Sequence, residues 1–160
     1  MAGDPAPNGP PLEARVGYLL FRLGRTQSTL FVEALEPLGL RPKHFALMNF
    51  AELSEGSSQQ ELGYKLGLDS SGLVSVIDDL EREGLVERRR DTTDRRRYAI
   101  HLTRAGRTKL SRAREAVKLR ADELLAPLSD DERETLHDLL ARVAAADERD
   151  LRPLAKPRTA

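Results

Sequence analysis

The sequence predicts a mainly α-helical protein with one small β-hairpin. Its 160 residues are 39% hydrophobic, 4% aromatic and 32% charged, a balance typical of helices packed around leucine. Apolar residues recur at helical spacing in six segments, whereas apolar and polar residues alternate in only two adjacent ones. This length suits one domain or two small packed ones and excludes a large multidomain enzyme.

The first predicted element is a long helix behind a disordered tail. Residues 1–11 contain four prolines and few apolar groups, so we expect no stable structure there. From Leu12 the helical pattern continues to Leu35 and should end before Pro37. The nearly unbroken apolar run at residues 17–21 suggests burial on more than one side, as in a dimer interface. Packing within a single chain is the alternative.

Three shorter helices follow. Pro42 is placed to open the second, which runs to Leu53, and the third covers residues 59–66. Asp69 caps the fourth, which ends before Gly84. Its predicted core-facing stripe is Leu73, Val76, Ile77 and Leu80. The third and fourth helices, joined by so short a turn, are a helix-turn-helix candidate.

Two strands and two long helices complete the chain. Residues 85–90 and 97–102 alternate as strands do, and turn residues lie between them. Thr103 can cap a fifth helix that runs to about Pro127. Ser129 and a glutamate three residues later form a capping box for a sixth, after which residues 151–160 read as a tail.

The formal net charge of zero hides an uneven distribution. Between Leu85 and Arg107, eight arginines stand against three acids, so this segment carries +5 and the remainder −5. An isolated arginine-rich hairpin is usually a solvated surface paired with acids. Here it directly follows two capped helices, and that combination predicts nucleic-acid binding.

The sequence disfavours several other functions. Without cysteine there is no disulfide, thiolate metal site or thiol redox sensor. The three histidines are scattered and no nucleophile-elbow or Walker-type motif occurs, so we expect no enzyme, no metal and no cofactor. No apolar run approaches the roughly 18 residues of a membrane span, so we expect a cytoplasmic protein without a membrane partner.

The chain resembles the MarR family of winged helix-turn-helix regulators from Leu12 to about Asp150. The matching motifs are QELGYKLGL at 60–68, LEREGLVER at 80–88, Asp94-Arg95-Arg96, and LTRAG at 102–106. The resemblance implies a six-helix winged helix-turn-helix protein that is an obligate homodimer. Residues 12–36 and 103–150 would form the dimerisation region, and residues 37–102 the DNA-binding lobe. Such dimers bind pseudo-palindromic operators, usually as repressors, and many release double-stranded DNA when a small phenolic or anionic effector binds.

Candidate DNA-binding residues lie on the fourth helix and the hairpin. They are Ser70, Ser71, Val74 and Ser75, opposite the core-facing stripe, and Arg88, Arg90, Asp94, Arg95, Arg96 and Arg97. Val74 could contact a thymine methyl group or pack under the hairpin. By resemblance, Arg96 enters the minor groove and Asp94 orients it or stabilises the turn. The hairpin arginines at 88–90 should divide between phosphates and acids such as Asp78 or Glu81.

Base readout should depart from the family pattern. The family often has a basic or amide residue at the position of Ser75 and a basic one at that of Asp79. This chain therefore lacks the usual bidentate base readers at those positions. We expect it to rely on hydroxyl and water-mediated contacts and on groove shape.

A small aromatic or anionic effector is also expected. Six residues of the first two helices could line its cleft, although core packing is the stronger interpretation for each: Tyr18, Phe21, Arg22, His44, Phe45 and Met48. The alternative function is a helical dimer whose basic hairpin binds a protein partner. Salt dependence separates the two, because binding to DNA through several arginines weakens steeply as salt rises.

Overall fold

The computed structural model describes residues 15–53, 59–90 and 98–146, and within them the chain forms six α-helices and a two-stranded antiparallel sheet. The elements are α1 (Val16–Leu35), α2 (Pro42–Leu53), α3 (Gln59–Leu66), α4 (Ser70–Arg82), β1 (Val86–Arg90), β2 (Tyr98–Leu102), α5 (Arg104–Leu124) and α6 (Asp130–Ala146). The predicted mainly helical fold with one hairpin is confirmed. The predicted tails and the connection between the two strands lie outside the described residues.

Capping groups set several helix boundaries, as predicted. The Asp69 side chain accepts a hydrogen bond of 2.7 Å from the backbone N–H of Gly72 at the start of α4. Before α6, the backbone N–H of Ser129 donates to Glu132 Oε2 at 2.8 Å, and the Glu132 N–H returns a bond of 3.4 Å to the Ser129 hydroxyl. This reciprocal pair is a capping box.

Three boundaries differ from the sequence prediction. A short 3-10 helix, Glu36–Leu38, follows α1 and ends at Gly39, whose φ of 66° is left-handed. β1 begins one residue later than predicted because the Leu85 N–H donates back to the Leu80 carbonyl of α4 at 2.9 Å and so does not pair with the second strand. α5 ends at Leu124, before Pro127, because proline disfavours helical backbone in the residue preceding it.

One core joins α2, α3, α4, the hairpin and the first half of α5. All four residues of the predicted α4 stripe are buried in it, which confirms that stripe. Its largest fully buried side chains include Leu47, Met48, Leu62, Ile77, Leu80, Ile100 and Leu110. Antiparallel pairing runs from Val86 opposite Leu102 to Arg90 opposite Tyr98. The core therefore fixes α4 and the hairpin relative to each other, with the outer face of α4 left free.

α1 and α6 remain largely outside this core. Among the described residues, α6 has no buried side chain and α1 buries only Ala34 and Leu35. The exposed large apolar residues of α1, α5 and α6 are Val16, Leu19, Leu20, Phe21, Leu23, Val32, Leu119, Leu139, Leu140 and Val143. None of the described helices is long and apolar enough to span a bilayer. So many exposed large apolar side chains on three helices are typical of an interaction surface.

Candidate nucleic-acid interface

The outer face of α4 brings together the four helix residues that the sequence predicted for DNA binding. Ser70, Ser71, Val74 and Ser75 are exposed and line one open groove of about 530 Å³. Val74 is 43% exposed, which favours a contact with a partner over the alternative of packing under the hairpin. Because the opposite stripe is buried, only this face of α4 can meet a large ligand.

Part of the hydrogen-bonding capacity of the first turn of α4 is used by its own cap. Asp69 accepts hydrogen bonds from the Gly72 N–H at 2.7 Å and from the Ser71 hydroxyl at 3.0 Å. These two bonds hold the pKa of Asp69 below its usual value of 3.8. The cap thus uses one first-turn amide and the Ser71 proton, and the oxygen of Ser71 remains free to accept.

Arg88 joins the hairpin to α4. Its guanidinium donates to Asp78 Oδ1 at 2.5 Å and to Glu81 Oε2, and its backbone N–H donates to Glu81 Oε1 at 3.3 Å. Its side chain is only 22% exposed. Although burial alone would lower the pKa of Arg88, the two carboxylates raise it. Arg88 is therefore directed at its own chain.

The other hairpin arginines have different surroundings. Arg89 pairs with Glu87 at 2.5 Å. Arg90 is exposed and makes no ion pair within the described part of the chain. Four predicted residues, Asp94, Arg95, Arg96 and Arg97, lie outside the described residues, so their roles stay predictions.

A second charged cluster connects α4 to the start of α2. Asp79 accepts from the Arg41 guanidinium through Oδ2 and from Arg82 Nη1 through Oδ1, at 3.1 Å in the latter case. The Arg82 hydrogen bond, together with the charge of Arg41, holds the pKa of Asp79 below its usual range. Arg41 is 38 residues from Asp79 in the sequence and belongs to no recognisable motif, so the sequence analysis did not predict this contact. Only the packing of α2 against α4 brings them together.

His44 lies beneath this cluster. It is 3% exposed, and its two ring nitrogens face Arg41, with Nδ1 at 3.3 Å from the backbone nitrogen and Nε2 at 3.0 Å from the guanidinium. An imidazolium would place both of its donors against donors of Arg41. Burial and the charge of Arg41 accordingly lower the pKa of His44, although Asp79, with Oδ2 at 3.6 Å, opposes the shift.

The six candidate effector residues of α1 and α2 fall into two groups, and core packing, the stronger interpretation from the sequence, describes the three on α2. Tyr18, Phe21 and Arg22 do line a shared groove of about 340 Å³ on α1. Met48 is fully buried in the core and His44 is nearly so, because α2 is covered on several sides. Phe45 is partly buried and packs edge-on against Phe31, with ring centroids 5.4 Å apart.

The low pKa of His44 predicts a pH-dependent stability. The unfolded chain binds a proton near pH 6.5 and the folded chain only at lower pH, so stability falls as pH drops below about 6.5. A single titrating group limits this slope to at most about 1.4 kcal/mol per pH unit. We expect His44→Asn to flatten the dependence of urea unfolding between pH 6.5 and 5. His137→Asn, at a histidine side chain that is 80% exposed, is the matched control and should leave the slope intact. An unchanged slope in His44→Asn would contradict this prediction.

Comparison with known proteins identifies the family. The sequence profile of the MarR family matches residues 38–97. A Thauera aromatica protein, described as a transcriptional regulatory protein for the hcr operon, is 35% identical over 135 residues, covering 82% of this chain and 81% of that one.

Two solved structures of a repressor show the same fold. The transcriptional repressor CouR bound to a 23-mer DNA duplex is 33% identical, with a TM-score of 0.71 over 83% of this chain and 94% of that chain. CouR from Rhodococcus jostii RHA1 bound to p-coumaroyl-CoA is 31% identical, with a TM-score of 0.68 over 85% and 96%. Sequence and fold agree, and the chain belongs to the MarR family of transcriptional regulators.

Proposed function

We propose that this protein is a ligand-responsive repressor that binds a pseudo-palindromic operator as a homodimer and has no enzymatic activity of its own. The observation that carries the proposal is the outer face of α4, where exposed hydroxyls surround the exposed Val74. An α-helix of this size fits the major groove of B-DNA. The similar repressor CouR has been solved on a DNA duplex, which supports the same use of this fold.

Charge around α4 explains why base readout should be indirect. Within α4, Asp78, Asp79 and Glu81 outnumber Arg82, so the helix itself carries a net charge of −2. Ser75 offers a hydroxyl and Val74 offers an apolar surface suited to a thymine methyl group. We infer that these short contacts, together with groove shape, select the operator.

Cations outside α4 supply the attraction to phosphate. Arg90 is exposed and makes no ion pair in the described chain. The sequence adds Arg95 and Arg96 between the two strands and Arg97 at the predicted start of the second. We propose that these four contact the DNA backbone or minor groove, and that Arg96 makes the minor-groove contact. Arg88 holds the hairpin against α4 and so sets the angle between the two elements.

Dimerisation is supported by the exposed apolar residues of α1, α5 and α6. Burying them against a second copy would remove from water a surface that a monomer rarely leaves exposed. We therefore assign residues 12–36 and 103–150 to the dimer region and residues 37–102 to the DNA-binding lobe. A two-fold dimer presents two α4 helices, which matches a pseudo-palindromic site.

The effector proposal rests on α1. Tyr18, Phe21 and Arg22 line one groove, and the guanidinium of Arg25 lies 5.9 Å from the Phe21 ring centroid. Aromatic surfaces beside guanidinium groups suit an aromatic ligand with an anionic group. CouR binds p-coumaroyl-CoA, a ligand that combines both features, and this supports the same chemical class here.

Substituting Ser75 tests the DNA-binding proposal. DNA fragments recovered from the genome by the wild-type protein define an operator, and gel-shift titration at physiological salt gives its affinity. We expect Ser75→Asp to weaken operator binding at least about 100-fold, because it places a carboxylate on an exposed face against phosphates and base edges. The mass of the wild-type complex should correspond to two protein chains per duplex.

Ser111→Asp is the matched control, because Ser111 is an exposed serine on α5 away from α4. We expect it to retain operator affinity. Wild-type affinity should also fall steeply between low and physiological salt. Equal operator affinity in Ser75→Asp and the wild type would exclude α4 as the reading element. A flat salt response without sequence preference would instead support the alternative of a protein partner.

A further inference from the structure

We infer that Asp79 sets the DNA specificity of this regulator in two ways. It positions Arg41 and Arg82 at the edge of the outer face of α4, called here the recognition surface, and it keeps a negative charge beside the DNA backbone. Specificity here means the ratio of operator affinity to affinity for unrelated DNA of the same length. The inference rests on the proposed function, since it requires α4 to enter the major groove. Neither arginine was singled out by the sequence.

Asp79 is held between two exposed cations. Its side chain is 23% exposed, whereas those of Arg41 and Arg82 are 65% and 73% exposed. The carboxylate accepts from both guanidinium groups, one on each oxygen. Each arginine thus keeps donors that point into solvent after it has bonded to Asp79. Asp79 and Arg82 also line the same groove as Ser75, so the cluster borders the recognition surface directly.

The cluster is anchored in the interior. His44 is buried beneath Asp79, with Nε2 at 3.6 Å from Oδ2, and both of its ring nitrogens face Arg41. The buried imidazole on one side and the ion pair with Asp79 on the other restrict where the Arg41 guanidinium can go. Asp79 therefore preorganises Arg41, so the Arg41 side chain loses little conformational entropy when it binds a phosphate.

Removing the Asp79 charge should act differently on the two kinds of DNA complex. Binding to unrelated DNA depends on net charge, so losing a carboxylate within a Debye length of the phosphates should strengthen it. At low salt, where screening is weak, a unit charge about 7 Å from a phosphate in water changes affinity about threefold, or about tenfold for two protomers, so the comparison is made at low salt. In the operator complex the same gain is offset, because Arg41 and Arg82 lose the group that positions them.

The test compares Asp79→Asn with the wild type on two duplexes, the recovered operator and a scrambled sequence of equal length and composition. We expect affinity for the scrambled duplex to rise about tenfold and operator affinity to change less than about threefold, so that specificity falls. Asp122→Asn is the matched control. It removes a carboxylate that pairs with Lys118 at 2.7 Å on α5, and it should leave the ratio unchanged.

The salt dependence of operator binding tests the phosphate contact of Arg41 without any change at Asp79. Arg41→Ala should reduce the slope of log affinity against log salt for the operator by about 1.8 in the dimer, one phosphate contact per protomer. Arg41→Lys, which keeps the charge, should restore most of that slope. Arg41 and Arg82 are exposed, so replacing either with alanine should leave the protein folded. If Asp79→Asn does not fold, the salt slopes of these alanine variants test the proposal instead.

The outcomes are distinguishable. A wild-type protein that does not discriminate operator from scrambled DNA would overturn the proposed function itself. Clear discrimination by the wild type with an unchanged ratio in a folded Asp79→Asn would overturn only the role of Asp79. An unaltered salt slope in Arg41→Ala would overturn the positioning of a phosphate contact by this cluster.

Discussion

Replacing Gly106 with alanine is expected to destabilise the fold by at least about 3 kcal/mol. A Cβ atom at this position would overlap the carbonyl oxygen of Leu85 and lie 3.0 Å from its carbonyl carbon. That oxygen cannot simply move aside, because it accepts the Thr103 N–H at 3.1 Å. Relief of the overlap would have to separate α5 from the base of the hairpin.

Two further hydrogen bonds hold the junction between α5 and the base of the hairpin. The Gly106 N–H donates to the Thr103 hydroxyl oxygen at 3.0 Å, and that hydroxyl donates to the Gly84 carbonyl at 2.7 Å. Thr103 thus joins the end of α4, the end of β2 and the start of α5. Shifting α5 would break this junction and change the angle of the hairpin relative to α4, so DNA binding should weaken along with stability.

Urea unfolding at a fixed protomer concentration measures the effect, since dimerisation makes stability depend on concentration. Gly24→Ala is the control, because Gly24 lies inside α1 beyond the apolar run at 17–21, and a Cβ atom there would meet no atom of its own chain within 4 Å. We expect that variant to be slightly more stable, by about 0.5–1 kcal/mol, since alanine favours helix over glycine. Wild-type stability in Gly106→Ala would show that the junction is more adaptable than its geometry indicates.

Arg88→Ala is expected to weaken operator binding by roughly 2–3 kcal/mol, the second large effect. The guanidinium bonds to both Asp78 and Glu81 on α4 and offsets half of their combined charge. Without it, two carboxylates per protomer face the phosphates uncompensated, and the hairpin loses its ionic attachment to α4. Both consequences oppose binding, although Arg88 itself need not contact DNA.

Arg88→Lys separates charge from geometry. Lysine keeps the positive charge but cannot bond to both acids with a planar fork, so we expect an intermediate loss of affinity. Gel-shift titration gives the affinities, and circular dichroism melting confirms that each variant is folded. If Arg88→Ala binds the operator as tightly as the wild type, the hairpin angle and the acids of α4 do not matter for recognition.

Local patterns predicted the six α-helices and the two strands of this fold, although not the 3-10 helix Glu36–Leu38. Helical periodicity located the buried stripe of α4, and its complement gave the outer face with Ser71, Val74 and Ser75. Capping residues such as Asp69 and Thr103 marked helix starts because their hydrogen bonds are made within three residues. Interactions of such short range depend only on neighbouring residues, so they can be predicted from the sequence before the tertiary structure is known.

The effector residues show where a local pattern fails. α2 has apolar residues around much of its circumference, so periodicity could not show which side faces a cleft. Met48 and His44 proved to be buried, whereas Tyr18 and Phe21 on α1 are accessible. Which side of a helix is covered depends on the elements that pack around it, and those are distant in sequence.

The sequence by itself determined the helices, the hairpin, the family and the concentration of arginine in the segment between Leu85 and Arg107. Only the tertiary structure decided how individual charges are used. It directs Arg88 to the acids of α4, leaves Arg90 without an ion pair among the described residues, and brings Arg41 to Asp79 from 38 residues away. Net charge is a sum along the chain, whereas an ion pair needs two side chains within about 4 Å, a distance that only packing can set.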